Sequence, residues 1–191
     1  MQQTDARTFS ALYNKSLQVT LSQNKNLINF LNNYPISAQW DQYSAASLSP
    51  EVKQVLYPIL ETQLSGKGEK EKIDLLLDFV QHAFNYATDQ VQFGCERPLF
   101  GDETFYYPYS DCEDRAILFS ILVRELVGLD VVLVHYPGHL AAAVRFNENV
   151  VGNYFNYKGK QYVVCDPTYI GASAGMAMSD FERTPATLIE I

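Results

Sequence analysis

The sequence is short of cysteine, of histidine and of positive charge, and it has no long apolar run. Three cysteines, Cys95, Cys112 and Cys165, cannot close a disulfide framework, so at least one thiol is free. Lys and Arg number 14 against 22 Asp and Glu, a net charge of −8, and the cations are not clustered. Nucleic acid and anionic membranes both need clustered Lys and Arg, so neither is expected as the main partner. No stretch is long and apolar enough for a membrane span. The N-terminal segment, Met1 to Arg7, is polar and lacks the apolar region of a signal peptide. The chain as given is therefore expected to be soluble. Its compartment and oligomeric state are left open, and a trimmed extracytoplasmic form is compatible with it. There is no internal repeat and no low-complexity segment.

What is present is enough for a core: 47% apolar residues, 13% aromatic, in a chain of 191. That length fits one domain. Residues 5 to 34 read as helix, from Phe9, Leu12, Tyr13 and Leu17 and then Leu27, Ile28, Leu31 and Tyr34. The helix ends at Tyr34-Pro35, because proline disfavours the α conformation before it. Residues 36–48, with Trp40, read as loop. Ser49-Pro50-Glu51 starts a new helix that stops before Gly66. The expected division is a helical lead-in, 1–66, packed on a core of 67–191, the two forming one unit.

Glu69 to Tyr86 is amphipathic through Ile73, Leu76, Leu77, Val80, Ala83 and Phe84. His82 lies off that stripe and has a structural reading. Residues 87–109 have no period but many aromatics, which predicts an ordered loop framing a cleft. Asp111 to Val127 is apolar on nearly every side, a helix buried all round and stopped by Gly128. Strands follow at 131–136, 139–146, 150–157 and 161–165. Two turns interrupt them, Pro137-Gly138 and Lys158-Gly159-Lys160. Helices first and antiparallel strands second give an α+β fold.

Cys112 opens the buried helix. Two caps compete: Ser110 with Glu113, or Asp111 with Asp114. If Ser110 is the cap, Cys112 is the second residue of the helix, and its sulfur lies near unpaired N–H groups and the positive end of the helix dipole, a position that favours a thiolate. Asp111, Glu113 and Asp114 oppose it unless they point away or are paired, for instance with Arg115. The commoner role of a free cysteine is a small buried hydrophobe. His139 starts a strand and Asp166 ends one. If those strands pair antiparallel, the carboxylate can hold one imidazole nitrogen and leave the other for Cys112. A turn residue before Pro167 is the plainer reading of Asp166. His135 and His139 are four apart, but Pro137-Gly138 forbids a helix there, so no zinc site and no cofactor is expected. Cys165 reads as core. Gln92, Tyr107 and Tyr109 are candidate oxyanion donors from the aromatic segment.

Three motifs, Ser110-Asp111-Cys112-Glu113-Asp114-Arg115-Ala116, Pro137-Gly138-His139-Leu140-Ala141-Ala142-Ala143-Val144 and Cys165-Asp166-Pro167-Thr168-Tyr169, resemble the core of the transglutaminase-like superfamily. The resemblance spans about residues 70–170. It implies a papain-like fold, with a central Cys-bearing helix on an antiparallel sheet. Cys112 would be the nucleophile, His139 the base and Asp166 its orienter. Leu140 and Ala141 stand where an aromatic commonly follows the family's histidine. Bacterial members are mostly read as peptidases or amide-acting enzymes, so crosslinking is not implied. The expected function is thiol-dependent acyl transfer on a peptide or protein substrate. The alternative is an inactive binding or interaction module on the same scaffold.

Overall fold

The computed structural model describes residues 2–11 and 17–191. The N-terminal part corrects the helical expectation. Strands β1 (Arg7–Ser10) and β2 (Gln18–Leu21) form an antiparallel hairpin in the register Arg7↔Leu21 to Ser10↔Gln18. Helix α1 (Lys25–Asn32) comes only after it, capped by the Asn24 side chain. Phe9, Val19 and Leu21 are buried while Thr8, Ser10, Gln18 and Thr20 face out, a period of two. The β-branched Thr8, Val19 and Thr20 suit a strand, and hairpin pairing overrides the accidental helical spacing. Leu12 and Tyr13, part of the helical reading, lie outside the described residues.

Residues 36–48 hold a short helix, α2 (Trp40–Ala45), and are not plain loop. Six residues are too few to show a period; what orders them is Tyr43, buried 4.5 Å from the Phe100 ring. Helix α3 (Pro50–Leu64) starts where Ser49-Pro50 places it, and buries Val52, Leu56, Leu60 and Leu64. Helix α4 (Glu69–Ala83) stops three residues short of Tyr86. The next residues form β3 (Asn85–Tyr86). The aromatic segment contains α5 (Asp89–Gln92) and α6 (Gly101–Tyr106), then β4 (Tyr109–Ser110), which pairs parallel with β3. Phe105 anchors it, 5.2 Å from Phe9 and 5.4 Å from Phe84.

Helix α7 (Cys112–Leu122) is buried from Glu113 to Leu122 and runs on through a π-helical turn, Val123–Val127. Gly128, at φ 75°, ends it in the left-handed region. The sheet that follows has the order β7-β8-β6-β5-β9, with every neighbour antiparallel. Its strands are β5 (Val131–Tyr136), β6 (His139–Val144), β7 (Tyr154–Tyr157), β8 (Lys160–Cys165) and β9 (Thr187–Glu190). β7 is shorter than expected and β9 was not expected: its four residues have exposed ends and no clear alternation.

Both faces of β6 are covered. Leu140, Ala142 and Val144 share clusters with α7 residues. Ala141 and Ala143 lie on the other face with Tyr136, Tyr162 and Phe181. The main cluster joins Phe9, Val19, Leu56 and Leu77 to Ile117, Ala142 and Cys165, so the first 66 residues and the sheet share one core. Among the described residues no helix is long and apolar enough to cross a membrane.

The loop after β8 is tied down by a close backbone crossing. Gly175 N–H donates to Val164 O (2.8 Å), and Asn153 N–H to Gly175 O (2.8 Å). A Cβ on Gly152 would lie 2.4 Å from Gly175 Cα, and Gly152 sits at φ 150°. Gly152→Ala should therefore destabilise by about 1–3 kcal/mol, through clash and backbone strain together. Thermal unfolding followed by circular dichroism checks this; an unchanged melting temperature would contradict the crossing.

Candidate active site

α7 begins under constraint. Its first turn is surrounded by protein, so its polar groups need internal partners. Asp111 is the cap. Its N–H donates to Asp114 Oδ2 (3.2 Å), and Asp114 Oδ1 accepts from Leu99 N–H (2.8 Å). Asp111 Oδ2 accepts from Asp89 N–H at 3.4 Å, and Asp89 Oδ2 accepts from Arg97 N–H at 2.5 Å. These acids bind the segment around residues 89–99 to the start of α7. Cys112 is thus the first residue of the helix, the position set by the Asp111 cap rather than by Ser110.

Arg115 pairs with none of them. It is fully enclosed and donates to Ser110 Oγ (3.2 Å), Gln81 O (3.4 Å) and Phe84 O (2.8 Å), with its guanidinium 5.5 Å from the centre of the Tyr86 ring. None of the acids beside Cys112 forms an ion pair among the described residues, and Arg115 acts on Asp111, Asp114 and Cys112 only at longer range. The consequence is opposite to what the helix dipole alone would give. Burial drives the Cys112 thiol well above its usual range, and Glu113 and Asp111 add to that; the Leu140 N–H pulls the other way. The Sγ–H donates to Glu113 Oε2 at 3.3 Å.

His139 and Asp166 meet. β6 and β8 pair directly, with Ala142 opposite Cys165, so the start of one lies beside the end of the other. His139 Nε2 is 2.8 Å from Asp166 Oδ2, and both residues are buried. Asp166 Oδ1 accepts from Thr168 N–H (2.9 Å) and Tyr169 N–H (3.2 Å), which fixes the carboxylate. With Asp166 ionised, Nε2 carries the proton and Nδ1 is left with a lone pair. Phe181 stacks on the imidazole, centroids 4.8 Å apart at 12°. Cys112 and His139 line one cleft of about 220 Å³ with Trp40, Tyr86, Glu96 and Glu113. The sulfur bonds Glu113 there, not His139.

The three oxyanion candidates lie elsewhere. The Gln92 side-chain amide bonds both the N–H and the C=O of Tyr109 (3.1 and 3.2 Å). Tyr107 donates to Asn32 Oδ1 (3.0 Å), and none of the three lines the cleft. Trp40 does line it, and its buried Nε1–H has no hydrogen-bond partner among the described residues. Trp40 and Phe181 come from segments with no sequence period, so their aromatic character was the sole signal that could have pointed to them, and it did not. His135 lies 4.8 Å from the Trp40 ring.

Among the described residues, Asp89, Asp111 and Asp114 bring carboxylate oxygens within 4.8 Å of one another. Hard cations take such oxygen ligands, and protons relieve the same repulsion. Burial raises all three acids, Asp89 to about 7 and Asp111 to about 8, with neighbouring carboxylates adding to the burial. In the unfolded chain a carboxyl titrates near ~4. The folded state then binds protons that the unfolded chain has released, so stability falls as pH rises through 7 to 8. The melting temperature should be lower at about pH 9 than at about pH 6, and Asp111→Asn should flatten that slope. A melting temperature that does not fall over the interval would show that these acids are already ionised in the folded protein.

No protein-family model, no curated protein and no solved structure matches this chain.

Proposed function

We propose that the protein is a thiol-dependent acyl-transfer enzyme acting on amide or peptide bonds, on a transglutaminase-like, papain-like core. One observation carries this: a cysteine at the start of a buried helix shares a cleft with a histidine whose far nitrogen is held by a carboxylate. In the reaction His139 Nδ1 takes the Cys112 proton, and the thiolate attacks the substrate carbonyl carbon. The oxyanion that forms is met by N–H groups at the start of α7. His139 returns the proton to the leaving amine. Water or a second amine, deprotonated by His139, then releases the acyl group. Asp166 holds the imidazole in the Nε2–H form and stabilises its cation. Glu96 and Glu113 at the cleft favour a peptide that is neutral or basic next to the scissile bond.

A second reading is an inactive binding module, favoured by the raised thiol and by its bond to Glu113. The two differ in how Cys112 reacts. Iodoacetamide labelling at neutral pH, with the exposed Cys95 changed to Ala, should modify Cys112 at a rate that His139→Ala lowers about tenfold or more. Glu113→Gln should raise it, because a charge opposing the thiolate is gone. An activated ester should leave an acyl adduct on Cys112, visible by mass spectrometry. Labelling that ignores His139, with no adduct, would favour the binding module.

A further inference from the structure

We infer that Gln81 is a positioning residue for the site: its one side-chain amide holds both ends of the loop that carries Asp166, and so keeps that carboxylate on His139. The inference rests on the reading of Cys112, His139 and Asp166 as one unit.

Gln81 lies on α4 and is 2% exposed. Its Nε2 donates to Asp166 O (3.2 Å) and Ala172 O (2.9 Å), and its Oε1 accepts from Gly171 N–H (3.0 Å). Three main-chain groups, one at residue 166 and two at 171 and 172, are thus drawn onto a single planar amide. The loop between them contains the Thr168 and Tyr169 N–H groups that aim the Asp166 carboxylate. The Gln81 main-chain oxygen accepts from Arg115, one turn into α7 from Cys112. The same residue therefore touches the chain segments bearing the acid and the thiol without touching either reacting group. Apolar packing could hold the loop near the sheet, but it would not fix the direction of the Asp166 carboxylate. A fully bonded buried amide does, because any tilt of the loop leaves a buried donor or acceptor without a partner.

Gln81→Met keeps the length and the volume of the side chain and removes all three bonds. Three readouts test it in protein shown to be folded by circular dichroism. The first is the proton NMR signal of His139 Nε2–H, assigned by its loss in His139→Ala. Gln81→Met should broaden it or abolish it through faster exchange with water. The second is Cys112 alkylation, which should slow by about tenfold to 10²-fold, the usual cost of a misplaced orienting group. The third is a double-mutant cycle: in an Asp166→Asn background, Gln81→Met should slow alkylation no further. If Gln81→Met does not fold, Gln81→Glu takes its place. Ionised, it keeps the bond from Gly171 N–H and repels the Asp166 and Ala172 carbonyls, so loss of the Nε2–H signal should deepen as pH rises. An intact Nε2–H signal in a folded Gln81 variant, or additive effects in the cycle, would overturn the inference. A lost signal in a protein whose wild-type Cys112 ignores His139→Ala would uphold the positioning role and overturn the acyl-transfer reading instead.

Discussion

A helix enclosed by protein on every side cannot take its caps from water, and much of this structure follows from that. The carboxyls at the start of α7 must find their donors inside the protein. Asp111 and Asp114 stand at the start of the turn, and Asp114 is wholly buried. Their remaining oxygens reach out to Leu99 and Asp89, so the irregular segment between α4 and α7 is hung on the helix start. Asp89 repeats the device with Arg97. The aromatic segment is ordered because its main-chain donors end on these carboxylates, and its rings then fill the gap beside Phe9 and Phe84.

The same requirement sets the chemistry in opposition to itself. Acids that cap a buried helix also surround its first side chain, and that side chain is the thiol. A helix start favours an anion through its dipole by about 0.3–1 kcal/mol, up to ~2 where partly buried. Here burial and two carboxylates outweigh that contribution, and the sulfur keeps its proton on Glu113. Anything that makes Cys112 nucleophilic must therefore come from across the cleft. In the proposed reaction that group is His139, whose far nitrogen is held by Asp166 and whose ring is covered by Phe181.

Parts of this were legible in the residues. The periodicity of Ile73 to Val80 and the apolar run from Ala116 to Val127 mark α4 and α7, because each is long enough for the pattern to repeat. β5 and β8 are marked by β-branched residues and β6 by a weak alternation, each beside turn residues. The meeting of His139 with Asp166 follows from their places at opposite ends of strands that could pair. The N-terminal hairpin was not legible, since Phe9 and Leu17 fit a helical spacing as well as an alternating one. Nor were Trp40, Phe181 and Gln81. Each acts through a partner far away in the chain, for Gln81 at separations of 85 to 91 residues, and local pattern carries no trace of such pairing. Gln81 also lies beside the apolar stripe of α4, where a polar residue is ordinarily taken as surface.

The three alanines in the middle of β6 have a consequence for how such a protein could diversify. Ala141, Ala142 and Ala143 have no exposed surface, and each face of the strand meets a packed layer. Larger side chains there would push α7 or the Phe181 layer outward, and with it one side of the cleft. The strand carrying His139 is therefore closed to change, whereas Tyr86 and Glu96 at the cleft rim have exposed side chains. Descendants of this sequence could alter what they recognise at the rim while the strand beneath stayed as it is.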